Sequence, residues 1–276
     1  TRPTELLYGL IPVLWGVYNP KSLMRKIKMV FSEYKYHLFF ALLIFICLCS
    51  CQLLYWKLIT RSFLYDSYGS NAGEGFDFLT PYTFEFLFSY RKGWLLYTPI
   101  MLLAICGFWV LYKNQREIFW PCFTFFFVFL YIASSWTYWW YASSFSQRSM
   151  LQIYPLLAIP IGYFIQWSWT KNNLVKAGTA IIVTVLVALN LFQSWQYENW
   201  IISKDRMTKK YYWTSFLKTN IPEQAEALLL IDRGLVSHPT LKNESKHLKS
   251  IAFKADYTNN AKAVRTALTR DAWTAI

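Results

Sequence analysis

Four cations border apolar stretches of this chain: Arg2, Arg91, Lys92 and Arg148. Arg91 and Lys92 stand side by side in "FEFLFSYRKGWLLYTPIMLLAICGFWVLY" (Phe84–Tyr112), after a run of aromatics and before a long uncharged stretch. Arg148 follows an aromatic belt in "SSWTYWWYASSFSQRSM" (Ser134–Met150), and Arg2 opens "TRPTELLYGL". A cation held at an apolar rim can make charge-assisted hydrogen bonds to a lipid phosphate while the lipid chain lies between helices. Trp140 and Tyr97 offer apolar ring faces on which a sugar can stack. Glu74 and Asp77, in a loop with Gly69, Gly73 and Gly75, are the carboxylates placed for general-base work. Each feature has a plainer reading beside it. Lys and Arg at helix ends extend to headgroups as anchors. The aromatics Trp136–Tyr141 can form an interface belt, and loop carboxylates can simply be solvated.

Adjacent residues on a helix point about 100° apart, so Arg91 and Lys92 are not expected to face the same slot. Arg presents a planar fork to phosphate oxygens, whereas Lys is a point charge. Arg91 and Arg148 are therefore expected to share one phosphate, with Lys92 extending mainly toward the headgroups.

These residues need a membrane scaffold, and the composition supplies one. The chain has 276 residues, of which 55% are hydrophobic, 20% aromatic and only 16% charged. A span needs about 20 apolar residues. Six stretches qualify in whole or part: Leu6–Tyr18, which is short and broken by Pro12, then Leu38–Trp56, Trp94–Tyr112, Ile118–Tyr138, Met150–Trp169 and Leu174–Trp195. Trp94, Trp139, Trp140, Trp167, Trp169 and Trp195 fall at span ends, where an indole prefers to sit. The expected fold is an all-α polytopic membrane protein of about five to six transmembrane helices over residues 1–197. A small soluble α/β tail is expected over residues 198–276, with "ALLLID" (Ala227–Asp232) as a strand.

Connecting charges set the expected orientation. Lys21, Arg25, Lys26, Lys28 and Lys35 crowd the first connection, Lys113 and Arg116 the next on that side, and Lys171 and Lys176 the third. By the positive-inside rule these three are cytoplasmic, so the long 57–93 loop, the 139–149 turn and the tail are exocytoplasmic. Residues 24–35 read as a basic amphipathic segment on the cytoplasmic surface. The net charge of +13 fits anionic lipid or a phosphorylated substrate. It argues against nucleic acid, because the cations flank apolar runs and build no single basic face.

Other chemistries find no footing. Cys47, Cys49, Cys51, Cys106 and Cys122 lie in apolar runs without zinc spacing, and His37, His238 and His247 are scattered. No phosphate-binding Gly loop, dinucleotide fingerprint, HExxH or CxxC occurs. Neither a metal nor a cofactor is expected. The opening at Thr1, without a basic n-region or cleavage site, reads as the middle of a longer protein.

Four segments together carry a resemblance. "FDFLTPYTFEFLFSYRKGWLLYTPIMLL" (Phe76–Leu103) resembles a pattern in bacterial membrane glycosyltransferases of the GT-C superfamily, related to protein O-mannosyltransferases and aminoarabinose transferases. "WTYWWYASSFSQRSMLQIYPLLAIPI" (Trp136–Ile161) resembles their Trp-rich turn, "RPT" near the start their short helix opening, and "DRMTKKYYW" (Asp205–Trp213) the segment after their last span. The sequence departs from that pattern at Ser146, where Gly is frequent, and at "YASS", which replaces a Gly pair. The resemblance covers roughly residues 1–213, with gaps around 21–61. It implies a polyprenyl-phosphate sugar donor and a glycan, lipid or protein acceptor. It further implies exocytoplasmic transfer at a bacterial inner membrane, with a carboxylate base in a loop upstream of Thr1. The chain alone is then expected to bind donor but transfer nothing. Two other classes stay open: a non-enzymatic lipid-linked glycan transporter or flippase, and a structural subunit of a cell-envelope complex. A transporter should carry ionisable groups at mid-span, and these spans have almost none.

Overall fold

The computed structural model describes residues 3–65, 74–141, 143–221 and 225–230. A 3-10 turn over Pro3–Gly9 leads into α1 (Leu10–Leu14), α2 (Pro20–Ser32) and α3 (Lys35–Thr60). Next come α4 (Thr83–Phe88), α5 (Trp94–Tyr97), a 3-10 turn over Pro99–Met101, α6 (Leu102–Asn114) and α7 (Arg116–Ser134). A 3-10 turn over Arg148–Ile153 precedes α8 (Tyr154–Trp169), followed by α9 (Asn173–Glu198), α10 (Lys209–Ser215) and a last 3-10 turn over Ala225–Leu228. Among the described residues the structure is mostly helical and has no strand. One isolated antiparallel bridge joins Phe76 and Trp136.

Among the described residues, four helices are long and apolar enough to cross a membrane: α3, α7, α9, and α8 together with its leading turn, Arg148–Trp169. At 1.5 Å per residue the 26 residues of α3 reach roughly 39 Å, beyond the roughly 30 Å hydrocarbon thickness. None of its apolar window is buried in the protein. A helix that is apolar all round and unburied has lipid as its natural solvent.

Two expectations are corrected. The stretch Trp94–Tyr112 is not one helix. Pro99 lacks an amide hydrogen and disfavours helical geometry in the residue before it, and Thr98 takes φ −132, ψ 61. The helix stops at Tyr97 and restarts through the turn at Pro99–Met101. The α/β tail is also not found in the described residues. Ala227 and Leu228, expected in a strand, lie in a 3-10 turn. Among the described residues of that run, Leu229 N–H bonds Glu226 O at 3.1 Å within the turn and Leu230 N–H bonds Arg206 O at 2.9 Å, so no ladder forms. A short apolar run carries no periodicity that separates strand from helix.

The chain divides into two compact units. The first comprises residues 1–82, 103–139 and 153–171. Its core is α7, whose Phe119, Cys122, Phe125, Phe126 and Phe129 are buried at helical spacing. Tyr8 meets Phe125 at 5.0 Å, and Phe108 of α6 meets Phe119 and Phe126. Gly107 lets α6 approach α8 closely: a Cβ there would lie 2.0 Å from Pro160 O. The second unit comprises residues 83–102, 140–152 and 172–276. Its aromatic core joins Tyr97 to Ile202, Met207, Tyr211 and Tyr212.

Candidate functional site

The site lies wholly in the second unit and starts from a tight turn. After α4, Ser89 Oγ accepts from Arg91 N at 3.1 Å, and Gly93 N donates to Ser89 O at 2.6 Å. A Cβ on Gly93 would fall 2.5 Å from Ser89 O and 2.7 Å from Phe88 C. Only glycine closes this turn without displacing backbone. Arg91 and Lys92 therefore sit in a turn, not on a helix, and the 100° divergence does not apply.

Both cations reach Asp205. Arg91 Nε donates to the Asp205 carbonyl at 2.9 Å, and the guanidinium lies 3.9 Å from the centre of the Trp140 ring. Lys92 Nζ donates to the Ser144 carbonyl, lies 3.5 Å from Ser144 Oγ, and stands 3.8 Å from Asp205 Oδ1. The other carboxylate oxygen, Oδ2, accepts from Ser143 Oγ at 2.7 Å. Three segments distant in sequence thus meet at one carboxylate: the turn before α5, the serine turn before α8, and the chain after α9.

Lys92 is only 2% exposed, which corrects the expectation that it extends toward headgroups. Burial pushes its ammonium down to about 8; Asp205 opposes that shift, while Arg91 and Arg148 add to it. Arg148 opens its 3-10 turn with an exposed side chain and acts on Lys92 through charge. Ser146 has φ +52, in the left-handed region that favours glycine. It is the position at which the resembled pattern often has Gly. Among the described residues, Ser146 Oγ, Ser149 Oγ and both amide atoms of Gln147 are buried without a hydrogen-bond partner.

The remaining expected residues are placed otherwise. Tyr97 is a core residue, 1% exposed. Its hydroxyl donates to Tyr90 O at 2.6 Å, and Phe145 and Tyr212 meet its ring edge-on at 5.7 Å. A ring so enclosed has no face for a sugar, which corrects its stacking role. Trp140 is buried under Arg91, so that face is taken as well. Asp77 belongs to the first unit, where its carboxylate accepts from Thr80 N at 3.0 Å and from Thr80 Oγ1. That ties it to a local turn. Glu74 is half-buried in the same unit. Arg2 lies outside the described residues.

Sequence reasoning missed Asp205, Ser143, Ser144 and Asn190. Asn190 Nδ2 donates to Tyr97 O at 2.8 Å, occupying the carbonyl at the end of α5 where the helix breaks. Asn190 lies near the end of α9, an amide in an otherwise apolar span, and that is the one legible signal. Asp205 stands between Lys204 and Arg206, and nothing in that local sequence marks it as the partner of a distant cation. No metal-binding cluster of His, Cys, Asp or Glu occurs among the described residues.

Comparison with models of known protein families, with curated proteins and with solved structures finds no match.

Proposed function

We propose that this chain is part of a membrane glycosyltransferase of GT-C type, and that the cation cluster of the second unit receives the phosphate of a polyprenyl-phosphate sugar donor. One observation carries the reading: Arg91, Arg148 and Asp205 all act electrostatically on Lys92, so three cations gather where one carboxylate is the counter-charge. Their summed charge leaves an excess positive field, which a phosphate would neutralise. The unpartnered donors of Ser146, Gln147 and Ser149 belong to the same turn as Arg148 and add hydrogen-bonding capacity for an anion. As the donor bond breaks, negative charge grows on the leaving phosphate, and fixed cations stabilise that change. The sugar passes to an acceptor on the exocytoplasmic side, with a carboxylate as base for the acceptor hydroxyl.

A second reading has its own support. Lys92 is buried and already bonded, as a structural clamp in a non-enzymatic membrane subunit requires.

Native mass spectrometry of the chain with polyprenyl phosphate and with uncharged polyprenol separates the two. Tighter binding of the phosphate is expected. Arg91→Lys and Arg148→Lys should each weaken it about ten- to a hundredfold, since a charge-assisted bond contributes about 1.5–3 kcal/mol. Equal binding of both lipids would overturn the phosphate site and leave the clamp.

A further inference from the structure

The first unit carries a second basic feature that the proposed site does not use. In α2, three stripes run along the helix. Leu23, Lys26 and Val30 are half-buried against the protein. Met24, Ile27 and Phe31 form an exposed apolar stripe, 68%, 43% and 67% accessible. Lys21, Arg25 and Lys28 form an exposed basic stripe beside it. The spacings are i, i+3, i+7 for the first two and i, i+4, i+7 for the third, so each follows one line on a helix of 3.6 residues per turn.

Lys26 differs from the other three cations. Its Nζ donates to Pro12 O and Trp15 O, both at 2.6 Å, and so holds carbonyls at the end of α1. It fastens α2 to its own unit, leaving the other three cations on the outward flank. A full capping box fixes the helix start, with Asn19 and Ser22 each accepting from the other's backbone N–H. The helix is therefore preorganised while its apolar stripe stays exposed.

We propose that α2 lies in the plane of the bilayer that α3 crosses, its Met24–Ile27–Phe31 stripe in the acyl boundary and Lys21, Arg25 and Lys28 on the phosphates of anionic lipids. Two observations select that occupant. First, α3 begins three residues after α2 ends, a reach of roughly 10 Å at most. If α3 enters the hydrocarbon, α2 is confined to headgroup depth. Secondly, α2 contains no carboxylate, and the nearest in sequence, Glu33, is at its C-cap. An apolar stripe beside such a one-sign stripe complements an anionic lipid surface. This inference does not depend on the glycosyltransferase reading.

Hydrogen–deuterium exchange tests it on the whole chain in nanodiscs of phosphatidylcholine, with and without phosphatidylglycerol. Exchange across residues 20–32 should slow in the anionic discs, by about fivefold for each cation that reaches the surface. High salt should erase the difference in the unmodified chain, which needs no variant. The triple change Lys21→Gln, Arg25→Gln and Lys28→Gln should also erase it, whereas Lys26→Gln should leave the lipid dependence in place. Identical exchange in both lipids would overturn the proposal. So would a difference that survives high salt and the triple change, or slowing that appears only when an acidic soluble protein is added.

Discussion

The turn at Arg91–Lys92 and the helix α2 are both basic, yet they manage charge in opposite ways. In the turn, Lys92 is removed from water and held by Ser144 and Asp205. In α2, Lys21, Arg25 and Lys28 stay exposed with no carboxylate in their own helix. The first arrangement stores an electrostatic cost within the fold, because a buried ammonium has lost its hydration. The second defers the charge to whatever surface the helix meets. A count of basic residues treats these regions alike; only burial separates them.

The comparison breaks first at Gly93. Gly93→Ala drives a methyl into Ser89 O and Phe88 C, so the turn that presents both cations must open. A loss of about 3 kcal/mol is expected, as for overpacking against backbone. Thermal unfolding in detergent measures it, and unchanged stability would show that the turn yields easily.

Removing the counter-charge comes next. Asp205→Ala should cost about 2–3 kcal/mol, at or below the usual range for orphaning a buried partner, because the carboxylate is partly exposed. Adding Lys92→Met should restore most of the loss, whereas Lys21→Gln should change stability by less than about 0.5 kcal/mol. A double-mutant cycle reads the coupling directly. Equal effects at Lys21 and Asp205 would erase the distinction between the two regions.

The same contrast appears in pH dependence. Lys92 titrates near 8 in the fold, below its ordinary value, so the unfolded chain binds the extra proton at alkaline pH. Between about pH 8 and 10.5 stability should therefore rise with pH, by on the order of 2–3 kcal/mol; below 8 both states are protonated and the penalty is fully present. Subtracting the profile of the Lys92→Met chain isolates this contribution. A difference profile flat across that window would mean that Lys92 is not buried as a cation.

The smallest effect concerns the neighbouring serine turn. Ser146→Gly relieves a left-handed backbone and removes a buried hydroxyl without a partner. Stabilisation of about 1 kcal/mol is expected, visible as a raised melting temperature. Destabilisation would show that the hydroxyl is held.

By itself the sequence determined the apolar helices. The composition of α3 and α9 leaves no other way to satisfy so much backbone in apolar surroundings. It also determined the basic amphipathic pattern of α2, because periodicity is local. Even the break at Pro99 follows from a local rule, the exclusion of helical geometry before proline. What tertiary structure decided was which charges meet. Arg91 and Asp205 are separated by more than a hundred residues, and nothing local marks Asp205 as their shared partner. Tyr97 read as a sugar-stacking ring and is core because α10 brings Tyr212 against it. Lys92 looked like an anchor and became buried because Ser144 and Asp205 supply bonds in place of water. Burial and pairing depend on distant segments converging, and a residue's type and its near neighbours carry no record of that convergence.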